Sequence, residues 1–304
     1  MFTRRFRVWL RSAILALAAA SALRVSATDD DAYRGEIEAA RAARVQQLTK
    51  PDGWLTLVGL DFLKAGANSV GSAADNAIVI ARAPAHVGTV MLGTDGRTAI
   101  TLNPAAGARV DGAEVLSAGL ESDLKGAPTM VSCGTINFYV IDRDGRKALR
   151  VKDSAAERRT KFAGLDYFPI DPSWRIEADW VAFERPKEVP IANVLGQVEP
   201  ALVPGKAVFR RDGKTFELLP IIEGPDEPLF FVIADATSGK ETYGASRFLY
   251  ADLPRDGKVI LDFNLARNPP CAFSPYATCP LPPKENRLPI AVTAGEKKYR
   301  GGGE

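Results

Sequence analysis

Residues Asp262 to Arg287 concentrate six of the chain's 21 prolines, two of its three cysteines and three asparagines. Proline removes a backbone donor and pushes the residue before it away from helical geometry, so no helix or central strand accommodates this run. The segment is predicted to be long and irregular, held rigid by its prolines and by side-chain hydrogen bonds. Rigid irregular backbone lined with polar groups is where binding and catalytic sites are commonly built.

The rest of the chain is ordinary globular material: 304 residues, 46% apolar and 25% charged, long enough for one large or two modest cores. A net charge of +2 shows no basic excess, which argues against a dedicated nucleic-acid binder. Residues 1–27 read as a signal peptide. Arg4, Arg5, Arg7 and Arg11 precede an apolar stretch, Ala13 to Ala22, and a small-residue site at Val25-Ser26-Ala27. That stretch is too short to span a bilayer, and no later one approaches a span. The expectation is an exported protein, periplasmic or secreted, whose mature chain begins near Thr28. In an oxidising compartment Cys271 and Cys279, eight residues apart, are expected to form a disulfide closing the proline-rich loop, with Cys133 a buried free thiol. No metal site is expected, because that spacing fits no zinc pattern and His86 is the only histidine. The single histidine also makes a classical serine triad improbable.

The predicted fold class is mainly β. Residues 28–50 form an N-terminal helix, acidic at its start, with Arg41 and Arg44 toward its end. Residues 51–125 carry short strands bounded by Gly, Asp or Asn, the pattern of a small β-sandwich. Residues 126–304 form a larger antiparallel β-sheet or barrel unit containing the proline-rich loop. Hairpins are expected at Asp144-Gly145, Asp212-Gly213 and Asp256-Gly257. Trp174 to Phe183 alternates as a half-buried strand, Leu229 to Ala234 is continuously apolar, and Leu288 to Thr293 is read as the last strand.

Candidate ligand-binding residues cluster around the loop: Tyr243, Arg247, Asp262, Asn264, Asn268, Tyr276, Asn286 and Arg287. If Arg247 and Asp262 lie on neighbouring strands of one hairpin, they meet at the same sheet end. They then form either an ion pair fixing the loop or a fork for an anionic group. The asparagines suit unpaired carbonyls of proline-rich turns, and the tyrosines suit a pocket wall. No catalytic residue and no cofactor can be assigned, since no phosphate loop, dinucleotide fingerprint or activated nucleophile is present.

Four segments, Gly53 to Leu63, Gly164 to Trp174, Thr242 to Leu249 and Asp262 to Arg287, resemble the prokaryotic family known only as domain of unknown function 1684. The resemblance implies no particular activity. Arg267 stands where that family's pattern leads one to expect an aromatic residue, and Ser246 where glycine is usual. Separately, Leu63 to Gly71, Asn76 to Ile80, Gly88 and Val110 to Gly112 resemble the strand-and-turn rhythm of forkhead-associated sandwiches. Those modules read phosphothreonine through a loop arginine and serine. Here Ser72-Ala-Ala replaces the arginine position and the Ser-x-x-His element is missing.

The favoured expectation is an exported β protein that binds a small polar or anionic molecule at the proline-rich loop. One alternative is a hydrolase using loop carboxylates or a cysteine. Another is a structural or interaction protein of the cell envelope, so a protein partner stays possible while nucleic acid does not.

Overall fold

The structure, a computed structural model, describes residues 29–222, 224 and 226–301. The expected signal peptide therefore lies outside the described residues. Helix α1 runs over residues 29–49, within the predicted span of 28–50.

Ten strands follow before the short helix α2 (Glu157–Thr160): β1 (Leu57–Phe62), β2 (Gly66–Gly71), β3 (Ile78–Val79), β4 (Gly88–Leu92), β5 (Thr98–Leu102), β6 (Arg109–Val110), β7 (Ser117–Gly119), β8 (Val131–Cys133), β9 (Ile136–Arg143) and β10 (Arg146–Asp153). They make two five-stranded sheets, ordered β3-β2-β4-β5-β7 and β1-β10-β9-β8-β6. Val70, Val90 and Ile100 of the first pack against Val131, Phe138, Leu149 and Val151 of the second, closing a β-sandwich. The sandwich thus continues past the expected boundary at residue 125. The cause is strand pairing: β10 lies against β1, so residues up to Asp153 complete the second sheet.

The remaining strands are β11 (Arg175–Ala192), β12 (Val198–Arg211), β13 (Lys214–Leu218), β14 (Leu229–Ile233), β15 (Arg247–Ala251) and β16 (Lys258–Asp262). Four of them form the antiparallel sheet β13-β12-β11-β16, and β14-β15 is a separate ribbon. Asp111, Asp144, Asp212 and Asp256 all have positive φ, as do Gly112, Gly145, Gly213 and Gly257 after them. Two consecutive left-handed residues are what a tight hairpin turn demands, and Asp-Gly supplies them at low cost. β11 is far longer than its predicted stretch. It bulges between Ala182 and Lys187 and then pairs again with β12 up to Ala192. Pro186, Pro190, Pro200 and Pro204 obscured this outer half.

The ribbon explains how the two units meet. β14 is buried along its whole length, with both faces apolar. Phe231 and Ile233 enter the core of the four-stranded sheet. Phe230 and Val232 face the other way, toward Leu57, Phe248, Ala277 and Cys279. The outer face of the β1–β10 sheet is therefore covered rather than solvated. Leu288 to Thr293 is not a strand: it is irregular, with Leu288 and Val292 buried beside the ribbon. No described helix is long and apolar enough to cross a membrane.

Candidate functional site

The proline-rich segment is irregular, broken by single 3-10 turns at Phe263–Leu265, Pro270–Ala272 and Lys284–Asn286. Its asparagines act as expected. Asn286 receives the Leu219 amide N–H and donates to the carbonyls of Leu219 and Val232. Asn264 donates to the Asp171 carbonyl and accepts from the Asp171 amide. Asp262 caps the first turn by accepting from the Asn264 amide, and it receives the Tyr33 hydroxyl at 2.8 and 2.9 Å. Asn268 donates to the Lys297 carbonyl, and its amide N–H reaches Glu296 at 2.7 Å. Arg287 is exposed, and Tyr276 packs beside the ribbon on the sandwich side.

Arg247 and Asp262 do not meet. β15 pairs with β14 while β16 pairs with β11, so the two residues belong to different sheets. Arg247, 1% exposed, instead pairs with Asp235 at 2.8 Å and donates to the carbonyls of Val292 and Ala294. It is the clamp of the irregular C-terminal stretch. Burial lowers its pKa and the Asp235 carboxylate opposes that.

The expected disulfide is not found: Cys271, Cys279 and Cys133 are all free thiols. The Cys271 amide N–H donates to the Cys279 sulfur at 3.2 Å, and the Tyr243 hydroxyl donates to the Cys271 carbonyl at 3.1 Å. The thiol–thiol hydrogen bond from Cys279 lowers the Cys271 pKa, against the effect of burial. The same bond, with burial, drives Cys279 strongly upward, so that thiol stays protonated. Burial likewise raises Tyr243.

The feature that sequence reasoning missed is a cleft of about 610 Å³ between the sandwich, α1 and the ribbon. Its walls carry Arg44, Lys50, Arg143, Arg150, Lys152 and Arg267 against one carboxylate, Asp52. Arg44 is held by Glu296 at 3.1 Å and Arg143 by Asp123 at 2.7 Å. Among the described residues, the other four cations have no ion pair. Arg150 and Lys152 project from one face of β10, two residues apart, while Leu149 and Val151 enter the sandwich core. Arg150 is only 4% exposed. Its Nη2 donates to the Thr278 hydroxyl at 3.2 Å, its Nε has no partner, and its guanidinium lies 5.6 Å from the Trp54 ring. The Lys152 ammonium donates to the Asp52 carbonyl; burial lowers its pKa, the Asp52 charge opposes that, and the neighbouring Arg150 charge adds a smaller lowering. Opposite, the Arg267 guanidinium stacks 4.4 Å over Tyr250, whose ring also stacks on Phe230 at 4.8 Å. Backbone bonds between Arg267 and Phe248 fix that wall.

Of the sequence-predicted residues, only Asn268 lines this cleft, with Cys279 of the expected disulfide and Thr278 between them in the same loop. Arg150 and Lys152 are in sequence an unremarkable polar face of an alternating strand. The only hint was Arg267, basic where an aromatic residue is expected. Among the described residues there is no group of three or more His, Cys, Asp or Glu arranged to hold a metal ion.

No curated protein matches the chain. Among solved structures, it is similar to the uncharacterized protein from gene locus rrnAC0354 of Haloarcula marismortui, determined by solution NMR. That protein is 34% identical over 48% of this chain and 82% of its own, with a TM-score of 0.41. Residues 160–297, which contain the loop and Arg267 but neither Arg150 nor Lys152, match the family described as Protein of unknown function (DUF1684).

Proposed function

We propose that the protein binds a small organic anion in the cationic cleft, with the acid group on Arg150 and Lys152 and an apolar portion against Trp54, Phe248 and Tyr250. One observation carries this reading: Arg150 is a buried guanidinium at the cleft wall with no carboxylate partner among the described residues. Arginine does not escape burial by deprotonating, so an unpaired buried guanidinium costs several kcal/mol. A carboxylate or phosphate taking its fork, in a site shielded from water, offsets that cost. The lone Asp52 and the aromatic walls fit a guest that is negative at one end and flat or apolar elsewhere.

A nucleophilic hydrolase is less well supported. Cys279, the cysteine at the cleft wall, is held protonated, and Cys271 is not among the cleft-lining residues. The same proposal has the protein acting after export, on the strength of its first 27 residues; fractionation of cells expressing the full chain tests this, and retention in the cytosol refutes it. We also read the sandwich as forkhead-associated-like in architecture, on its strand-and-turn rhythm alone.

Titration calorimetry with aromatic and aliphatic carboxylates and with organic phosphates tests the binding site. Saturable binding is expected, and Arg150→Gln weakens it roughly 10- to 100-fold. Equal affinity in Arg150→Gln and parent removes the cleft from consideration.

A further inference from the structure

A second, smaller hollow of about 210 Å³ lies beside the cleft, and Arg44, Tyr250 and Arg267 line both. The stacked pair of Arg267 and Tyr250 is the partition between them. On its far side the hollow is walled by Arg41, Tyr167 and Glu296. The Arg41 guanidinium carbon lies 4.2 Å from the centre of the Tyr167 ring, and a 3.1 Å bond from Nη2 to the Phe168 carbonyl holds the group. Two buried polar atoms at this wall, Arg41 Nε and the Tyr167 hydroxyl, have no hydrogen-bond partner among the described residues. Both are N–H or O–H groups, and both therefore call for an acceptor oxygen. A buried donor without one costs about 1–3 kcal/mol, so two side by side are a feature to be explained.

Glu296 does not answer that call. One of its oxygens takes the Arg44 Nε and the other the Asn268 amide. Its charge is balanced by Arg44, which leaves Arg41 and Arg267 as excess positive charge around the hollow. Burial, and after it the Glu296 charge, push the Tyr167 pKa up to about 12, so its hydroxyl keeps its proton near neutrality and remains a donor.

We propose that this hollow is a second oxyanion subsite for the same guest, so that the ligand is a two-ended acid. One acid group sits on Arg150 and Lys152 and the other on Arg41 and Tyr167, with the spacer crossing the Arg267–Tyr250 stack. The inference rests on the anion-binding reading of the main cleft. The shared chemistry is two oxyanion ends, each a carboxylate or a phosphate.

The test is calorimetric titration of the full chain with α,ω-dicarboxylates of increasing length, their monocarboxylate counterparts, and ω-phosphonocarboxylates. One dicarboxylate or phosphonocarboxylate length is expected to bind about tenfold or more tighter than the matching monoacid, and which series wins tells carboxylate from phosphate at the second end. Tyr167→Phe and Arg41→Gln are expected to erase that advantage and leave monoacid binding unchanged, which also shows that the variants are folded. Arg150→Gln weakens both kinds of probe. If diacids and monoacids bind alike and only Arg150→Gln weakens them, the second subsite is refuted while the main cleft stands. If no acid of either series binds the parent, the second subsite and the reading beneath it fall together.

Discussion

Arg247 and Arg150 are both almost entirely removed from water, yet they sit in opposite electrostatic company. Arg247 has a carboxylate, Asp235, and two backbone carbonyls converging on it. Arg150 has one hydroxyl, one aromatic ring, and a second cation two residues away. In the first arrangement the charge is balanced within the chain by Asp235, although the Arg247 Nε, like that of Arg150, has no hydrogen-bond partner among the described residues. The second is open toward a cleft. Burial of an arginine does not by itself mark a site; what its guanidinium touches separates a structural clamp from a recognition group.

Three experiments sharpen or break this contrast. The largest effect is expected from Arg247→Ala, which strands Asp235 in the core and frees the irregular C-terminal stretch. A loss of about 3–5 kcal/mol is expected in denaturant unfolding. A variant as stable as the parent makes the clamp incidental. Arg150→Met is expected to behave differently in kind. It removes an unpaired charge and keeps apolar contact with Trp54, so stability stays within about 1 kcal/mol of the parent or rises, while anion binding is lost. A destabilisation as large as that of Arg247→Ala makes Arg150 a second clamp and ends the distinction. The smallest effect concerns Lys152, whose pKa is lowered by burial and, more weakly and against the opposing Asp52 charge, by Arg150. A folded-state pKa below the unfolded value means the folded protein binds fewer protons, so this group makes stability rise with pH in the interval leading up to 10.5. In Arg150→Met the Lys152 pKa moves back up and that slope flattens. NMR titration of the lysine Cε signals reads the shift, and an unchanged Lys152 shows that the two cations do not sense one another.

The alternating and turn chemistry of the chain was legible without coordinates. The four Asp-Gly turns, the apolar β14 and the helix before Trp54 all follow from local rules, and the proline-rich segment is irregular as its composition requires. The asparagines of that segment were read correctly as partners of loose backbone groups. Pairings between distant strands were not legible. The expectation that Arg247 meets Asp262 failed because consecutive strands β15 and β16 enter different sheets. The expected cystine failed too: spacing permits a bridge without dictating one, and both sulfurs are free.

The cleft is the clearest case of a feature with no local signature. Ala148, Arg150 and Lys152 form the outward face of a strand whose other face is apolar, which by sequence is a solvated edge of a sandwich. Only the docking of α1, the ribbon and the loop onto that face removes water from Arg150 and turns two ordinary cations into the walls of a site. Sequence by itself determined strands, turns, the irregular loop and the sign of each charge, because these depend on near neighbours and on backbone chemistry. Tertiary structure alone decided which charges are paired, because pairing depends on which faces meet, and those faces are contributed by residues more than a hundred positions apart in the case of Arg150 and Thr278.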